Sequence, residues 1–421
     1  MNILVVGSGG REHAIVSSLV KSRFGPMLYA APGNGGISEC AVCLDIKETD
    51  AGGIVRAAID NSIDVAIVSS EQALAAGVTD ELEAHGIRAF GPRKNAAVIG
   101  VSRTLAKQLL NKYDIPSVGY GSFDNFAEAE AFIAGIKRFP AAVKSDGLSL
   151  RSSVIVGERS EAVDVLRSMA AEKMHLSAGS RVIVEEYGDG AEYVVPVLSD
   201  GKSFLPMPGI FRYKRALDGD EGENTDGMGA VCPPPFPVSD AARRCADGIF
   251  KKTFDALNAE GRTFRGILQF VLRIDGDDVR AVEFSPCIGD PEAETLLMLL
   301  ETDLVDIINT VIDGTLFRAD VRYSHRFGAA VVAAGEGYPS GSSEDAAVTG
   351  CESFPHEQGI ALFHMDTRYK DGALVTAGGR AFAVAACADT LDSAAYKAYQ
   401  NVSRIRFDGV RCRNDVGKFR S

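Results

Sequence analysis

Four short apolar runs in the first hundred residues, separated by helix-length segments, constrain this chain most. Residues 2–6, 27–31, 65–69 and 88–90 read as strands, and helical patterns fit near 11–21, 51–60 and 77–85. Strands that alternate with helices return in one direction, so the segment predicts a parallel doubly wound sheet. Gly91-Pro92 closes this unit. Open sheets of this kind bind ligands at the carboxyl ends of their strands. Three segments lie there: Gly7-Ser8-Gly9-Gly10-Arg11, Ala31-Pro32-Gly33-Asn34-Gly35-Gly36, and Glu71. The first opens a helix, where N–H groups and missing Cβ atoms suit a phosphate, although such glycines also serve as plain strand-to-helix turns. Glu12 stands where a dinucleotide fingerprint needs its last glycine, so a dinucleotide site is not expected.

The pattern then changes. Residues 102–113 read as a helix, in which Lys107 reads as a surface lysine. Strands are expected at 141–144, 154–156, 181–187, 192–198, 267–274 and 279–284, with a helix at 161–171. Asp275-Gly276-Asp277 supplies turn chemistry between the last two strands and predicts an antiparallel hairpin. Residues 212–229 read as one long polar, glycine-rich loop, a length that marks function or disorder. Beyond Phe317 the pattern restarts, with strands at 329–334, 360–366 and 381–386 and a helix at 393–405. At 421 residues the chain is too long for one core.

Composition removes several function classes. The formal net charge is −13, so the basic footprint of nucleic-acid binding is missing overall. A local basic pocket for a phosphorylated small molecule stays compatible with it. No apolar run reaches the roughly eighteen residues that a membrane span needs. The first residues carry no basic region and no cleavage site of a secretory signal, which points to the cytoplasm. The eight cysteines are scattered and form no disulfide framework. Cys40 and Cys43 have no second Cys or His pair nearby and read as two small apolar residues.

Gly-x-Gly-Gly-Arg-Glu-His-Ala at 7–14, followed by Ala-Pro-Gly-Asn-x-Gly at 31–36, resembles the N-terminal domain of the glycinamide ribonucleotide synthetases, the phosphoribosylamine–glycine ligases. The resemblance continues in order through Phe90-Gly91-Pro92, Lys144-x-Asp146-Gly147-Leu148, Glu185-Glu186-Tyr187, Leu205-Pro206-Met207 and Lys214-Arg215. Asn224-Thr225-x-Gly227-Met228-Gly229, Glu283-Phe284 and Gly289-Asp290-Pro291-Glu292 follow, then Gly337-Tyr338-Pro339, Gly378-Gly379-Arg380 and Asp415-Val416-Gly417. It spans essentially the whole chain.

The resemblance implies three parts: an α/β substrate-binding domain at 1–101, an ATP-grasp domain at 102–318 with a small lid at about 122–190, and a small α+β domain at 319–421. It implies an ATP- and Mg²⁺-dependent ligase, with Mn²⁺ as the alternative ion. A carboxylate takes the γ-phosphate of ATP, and an amine then displaces phosphate. Such chemistry needs cations around the transferring phosphoryl group, an acidic metal ligand and a site closed to water. The partners implied are small molecules, a phosphorylated amine and an amino acid, acting on a monomer or homodimer. By resemblance Arg103, Lys144, Glu185, Glu186, Tyr187 and Glu192 hold the nucleotide, and Glu283 holds the metal. Gly9, Gly10, Arg11, Asn34, Glu71, Asn224 and Glu292 bind substrate. Lys214, Arg215 and Asp290 are the catalytic candidates.

Departures from the family pattern gather in the same motifs. Arg103 stands for a lysine, and Ser149-Leu150-Arg151-Ser152-Ser153 for a glycine-rich Ala-Ala-Gly-Lys-Gly loop. Phe211-Arg212-Tyr213 replaces Gln-Asp-His, Ser285 an Asn, Cys287 an Arg, Ser69-Ser70 a Gly-Pro, and Asp226 a Gly. Arg103, Arg151 and Arg212 would add three cations around the cleft. Three readings follow: the family's own ligase, a ligase joining a different carboxylate or amine in a specialised pathway, or a non-catalytic binding protein that keeps the fold.

Overall fold

The computed structural model describes residues 1–147, 153–173, 181–187, 190–355 and 357–419. Its first sheet is parallel, in the order β3-β2-β1-β4-β5, from β1 (Asn2–Gly7), β2 (Met27–Pro32), β3 (Val42–Cys43), β4 (Val65–Val68) and β5 (Arg88–Phe90). All four residues of β4 are buried, as a central parallel strand covered on both faces requires. Helices α1 (Gly10–Val20), α2 (Ala51–Asp60), α3 (Glu71–Ala76) and α4 (Val78–Ala84) complete the layers. The sequence places one helix at 77–85; the structure has two, broken at Gly77, whose φ of 89° ends α3 and starts α4.

Helices α5 (Lys94–Val101) and α6 (Arg103–Lys112) lead into a four-stranded antiparallel sheet, β6-β9-β7-β8. Its strands are β6 (Tyr120–Phe123), β7 (Ala141–Ser145), β8 (Ser153–Val156) and β9 (Val182–Glu186), covered by α7 (Phe126–Gly135) and α8 (Arg159–Lys173). A second antiparallel sheet, β11-β10-β16-β17, faces it. It holds β10 (Ala191–Asp200), β11 (Phe204–Pro206), β16 (Arg265–Asp275) and β17 (Asp278–Ser285). The β16–β17 hairpin expected from Asp275-Gly276-Asp277 forms, and Gly276 takes the positive φ of 58° that its turn needs.

The segment read as a long loop at 212–229 is not one. It contains β12 (Phe211–Arg212), β13 (Arg215–Leu217), β14 (Glu221–Asn224) and β15 (Gly229–Cys232). β13 and β14 form a separate antiparallel hairpin that turns at Gly219 and Asp220, both at positive φ. Much of this hairpin is solvated, so it lacks the apolar–polar alternation by which a strand is recognised. β12 and β15 join the sheet of the C-terminal region.

After α9 (Asp240–Ala259), α10 (Glu292–Leu297) and α11 (Leu304–Ile312), that sheet runs β12-β15-β18-β23-β20. Its later strands are β18 (Phe327–Ala334), β20 (Ile360–His364) and β23 (Arg380–Ala388). A smaller sheet of β19 (Ser343–Ala347), β21 (Thr367–Lys370) and β22 (Ala373–Gly378) sits beside it. α12 (Leu391–Val402) packs on β18 and β23. No described helix is long and apolar enough to cross a membrane.

Candidate active site

One cavity of about 640 Å³ joins the three regions. The loop after β1, the start of α3, helix α6, strand β17 and the β13–β14 hairpin all reach it.

At one end stands Glu283 on β17. Arg103 Nε and Lys144 Nζ both lie 3.2 Å from its Oε1, and Lys214 Nζ lies 3.4 Å from Oε2. Burial would raise this carboxyl, but Lys144, Lys214, Arg103 and Arg212 outweigh it and hold Glu283 well below the usual carboxylate range. Among the described residues no three His, Cys, Asp or Glu side chains are grouped to hold a metal by themselves.

Behind this cluster runs a buried chain of charge. Glu185 Oε2 lies 2.7 Å from Lys144 Nζ, and its Oε1 lies 3.0 Å from Lys107 Nζ. Glu185 sits on an internal strand of this sheet and is buried. Lys107 is 2% exposed and lines the cavity, which corrects its reading as a surface lysine. It stands four residues after Arg103, on the same face of α6. That spacing was the available signal. Burial lowers the Lys107 ammonium pKa even though Glu185 opposes it. Glu186, next on the strand, is exposed, while the ring of Tyr187 lies under the Arg273 guanidinium at 4.2 Å. Glu192 lies 3.6 Å from Arg273 and 4.0 Å from Arg212. Burial opposes its ionisation, yet Lys214, Arg273 and Arg212 keep its pKa low.

The other end is built from the first loop. The amide of Gly9 donates to Glu12 Oε2 at 2.8 Å, and that of Arg11 to Asp290 Oδ2 at 3.2 Å. Carboxylates of the chain therefore already hold these two amides at the α1 N-terminus. At Gly10 a Cβ would lie 2.2 Å from Glu294 Oε1, so this glycine serves side-chain packing in place of the ligand approach expected of it. Asn34 is also committed. Its amide nitrogen donates to the carbonyls of Ser8 and His364, and its oxygen accepts from Gly36 and Ile37. It pins the first domain to β20 and does not line the cavity.

The altered residues meet this end. Ser285 Oγ donates to Glu71 Oε1 at 2.5 Å. Arg11 Nη1 reaches across to Cys287 Sγ at 3.3 Å and Ile288 O at 2.9 Å. Ser69 Oγ donates to Glu12 Oε1 at 2.8 Å. Arg103 and Arg212 line the cavity, whereas Arg151 and the rest of 149–152 lie outside the described residues.

Asp290 also pairs with Arg380 at 3.0 Å. Glu292 lies behind it, fully buried, 3.3 Å from Arg212 and 3.2 Å from Gln269. It does not line the cavity, so contact with a substrate there would pass through Arg212. Burial raises the Glu292 pKa, and raises that of its neighbour Glu294 further. Asn224 lines the cavity and donates to the Ser153 carbonyl at 3.0 Å. Arg215 does not line it; its guanidinium bonds Asp220 O and Asn224 Oδ1 within the hairpin.

Comparison with known proteins agrees over the whole length. Residues 1–100 match the N domain, 101–293 the ATP-grasp (A) domain and 328–419 the C domain of phosphoribosylglycinamide synthetase. Phosphoribosylamine–glycine ligase of Halalkalibacterium halodurans is 36% identical over 418 residues, covering 99% of this chain and 96% of the relative. That of Caldanaerobacter subterraneus is 36% identical over 417 residues, 99% of each. The Thermotoga maritima phosphoribosylamine–glycine ligase structure superposes with a TM-score of 0.84 at 25% identity, covering 99% of this chain and 100% of that one. The biotin carboxylase domain of a Hydrogenobacter thermophilus 2-oxoglutarate carboxylase, solved with MgADP and bicarbonate, shares the fold. Its TM-score is 0.74 at 14% identity, over 98% of this chain and 91% of that one.

Proposed function

The chain belongs to the phosphoribosylglycinamide synthetase family, and on that premise we propose that it is an ATP-dependent ligase that joins glycine to 5-phosphoribosylamine through an acyl phosphate. The observation that carries this reading is the ring of Arg103, Lys144 and Lys214 around Glu283, in a cavity that continues to the loop after β1. Three cations at one carboxylate suit the charge of a transferring phosphoryl group.

A divalent ion fits here only together with nucleotide phosphates. Glu283 offers one ionised carboxylate, and Mg²⁺ commonly takes one or two carboxylates plus phosphate oxygens and water. Bound there, Mg²⁺ (or Mn²⁺) would offset charge on the β- and γ-phosphates. Lys144 and Arg103 then hold the nucleotide phosphates, and Lys214 the group in transfer. Glu192 and the segment Glu185-Glu186-Tyr187 form the nucleoside end of the site. Asp290, held by Arg380 and by the Arg11 amide, orients the amine. Residues 1–101 supply the amine site, 102–318 the ATP-grasp site and 319–421 its closing wall.

ADP release that depends on both glycine and phosphoribosylamine is the test. Release that needs both supports the reading; none with either, at saturating Mg–ATP, overturns it. The Ser285–Glu71 and Arg11–Cys287 contacts favour a second reading, a ligase of this family for another carboxylate. In that case ADP release appears when glycine is exchanged for other amino acids.

A further inference from the structure

The motif Asp415-Val416-Gly417 lies far from the cavity in sequence and has no role in the chemistry described. Its neighbour Arg413 is 2% exposed and ion-paired twice. Nη1 lies 2.7 Å from Asp220 Oδ1, and Nη2 lies 2.7 Å from Asp415 Oδ2. Nη1 also donates to the Arg215 carbonyl at 3.1 Å, one residue beyond Lys214. On the other side of Lys214, Tyr213 Oη donates to the Lys418 carbonyl and accepts from the Gly417 amide, both at 2.8 Å. The Arg413 guanidinium lies 5.0 Å from the Tyr213 ring centroid. The Asp415 carboxylate accepts from the Gly219 amide at the hairpin turn, at 2.8 Å. The C-terminal segment thus grips the Tyr213 side chain before Lys214 and the Arg215 carbonyl after it, while the Lys214 side chain reaches Glu283.

We infer that Arg413 is a positioning residue for Lys214: the C-terminal segment clamps Tyr213 and Arg215 so that the ammonium of Lys214 stays at the Glu283 end of the cavity. The inference rests on the role proposed above for Lys214 only in expecting an effect on turnover. Geometry makes the consequence steep, because displacement of a catalytic group by about 1 Å typically costs about a hundredfold in rate.

The experiment uses the full chain with three variants: Arg413→Met, Arg413→Lys and Asp220→Asn. Asp220 has φ of 57°, which Asn tolerates, and its side chain is largely exposed, so this variant keeps the fold if the buried arginine cannot be changed. Two readouts are taken. Acetylation of Lys214 by an N-hydroxysuccinimide ester, counted by mass spectrometry against exposed Lys251, reports its position without turnover. We expect a several-fold change in Arg413→Met and Asp220→Asn, partly reversed in Arg413→Lys. Ligase kinetics should show kcat down about tenfold, with nucleotide affinity by calorimetry within twofold of the parent. Lys214→Ala combined with Asp220→Asn should be no slower than Lys214→Ala alone. Unchanged Lys214 reactivity in the folded Asp220→Asn variant overturns the inference, whatever the substrate proves to be. Additive losses in the double variant overturn it as well. Changed reactivity without any ligase turnover supports the clamp and counts against the proposed reaction alone.

Discussion

Replacing Glu185 by Gln isolates the buried charge chain behind Glu283. The carboxylate sits between Lys107 at 3.0 Å and Lys144 at 2.7 Å, and all three side chains are at most 4% exposed. The amide keeps the shape and removes the charge. Lys144 retains Glu283 at 3.2 Å, so its loss is partial. Lys107 loses the only carboxylate in ion-pair contact with it among the described residues. Breaking a buried pair from one side costs about 3–5 kcal/mol. An upper limit comes from the alternative open to Lys107, which is to give up its proton. From a reference pKa of about 10.4 to pH 7 that costs about 5 kcal/mol, at 1.36 kcal/mol per unit. We expect Glu185→Gln to lose about 3–5 kcal/mol, read as a lower urea midpoint and faster amide exchange in β7 and β9. Glu186→Gln, on the exposed face of the same strand, should change stability by no more than about 0.5 kcal/mol. The pair Lys107→Met with Glu185→Leu should recover much of the loss, since apolar isosteres often replace buried pairs without penalty. Equal, small effects of Glu185→Gln and Glu186→Gln would refute the reasoning.

Lys144→Ala should weaken ATP binding by at least tenfold in calorimetry, whereas Lys251→Ala, on an exposed stretch of α9, should leave it unchanged. Burial depresses His13 to about 3 and His364 to about 4 from an ordinary 6.5. The unfolded chain therefore binds these two protons first, and stability is full above pH 6.5. It should fall on acidification through the window from 6.5 to about 4 and then about 3, by roughly 1.4 kcal/mol per pH unit for each histidine. Urea midpoints at pH 7.5 and 5 check this, and a flat profile counts against it. Ser285→Asn with Cys287→Arg places a second guanidinium beside Arg11, so we expect lower stability and no gain in glycine-dependent kcat. Faster turnover of glycine by this double variant would show simple decay of a family site.

The parallel sheet was legible because β1 and β4 are buried on both faces and read as unbroken apolar runs. The β16–β17 hairpin was legible because Gly276 marks its turn. β3, two residues long, carries no period to detect. Residues 215–224 failed for a different reason: an exposed hairpin held by the C-terminal segment has no apolar face. For the site, motif order brought eight of the seventeen named residues to the large cavity, and Lys144, Glu185, Glu186, Tyr187 and Glu192 to a smaller one that shares Lys214, Asn224 and Glu283 with it. Burial of individual charges was not legible. Lys107 and Glu185 are hidden because each neutralises the other, a pairing between α6 and β9 that neither local pattern contains. Asn34 matched a motif, yet all its amide bonds go to backbone, which only the contact with His364 and Met365 reveals.

The departures from the family pattern acquire a physical meaning from where they meet. Ser69, Ser285 and Cys287 are separated by up to 218 positions, yet each touches a residue of the shared motifs: Glu12, Glu71 and Arg11 respectively. A small polar group left buried without a partner costs about 1–3 kcal/mol. Here Ser285 satisfies Glu71, Ser69 satisfies Glu12, and Arg11 spans to the Ile288 carbonyl across Cys287. The cation end, by contrast, departs from the family pattern by exchange of like for like, with Arg103 beside Lys144 at Glu283. The departures at the cation end and at the wall opposite it are therefore of two physical kinds. Charge is kept around Glu283, and hydrogen-bond partners are reassigned around Glu12, Glu71 and Arg11.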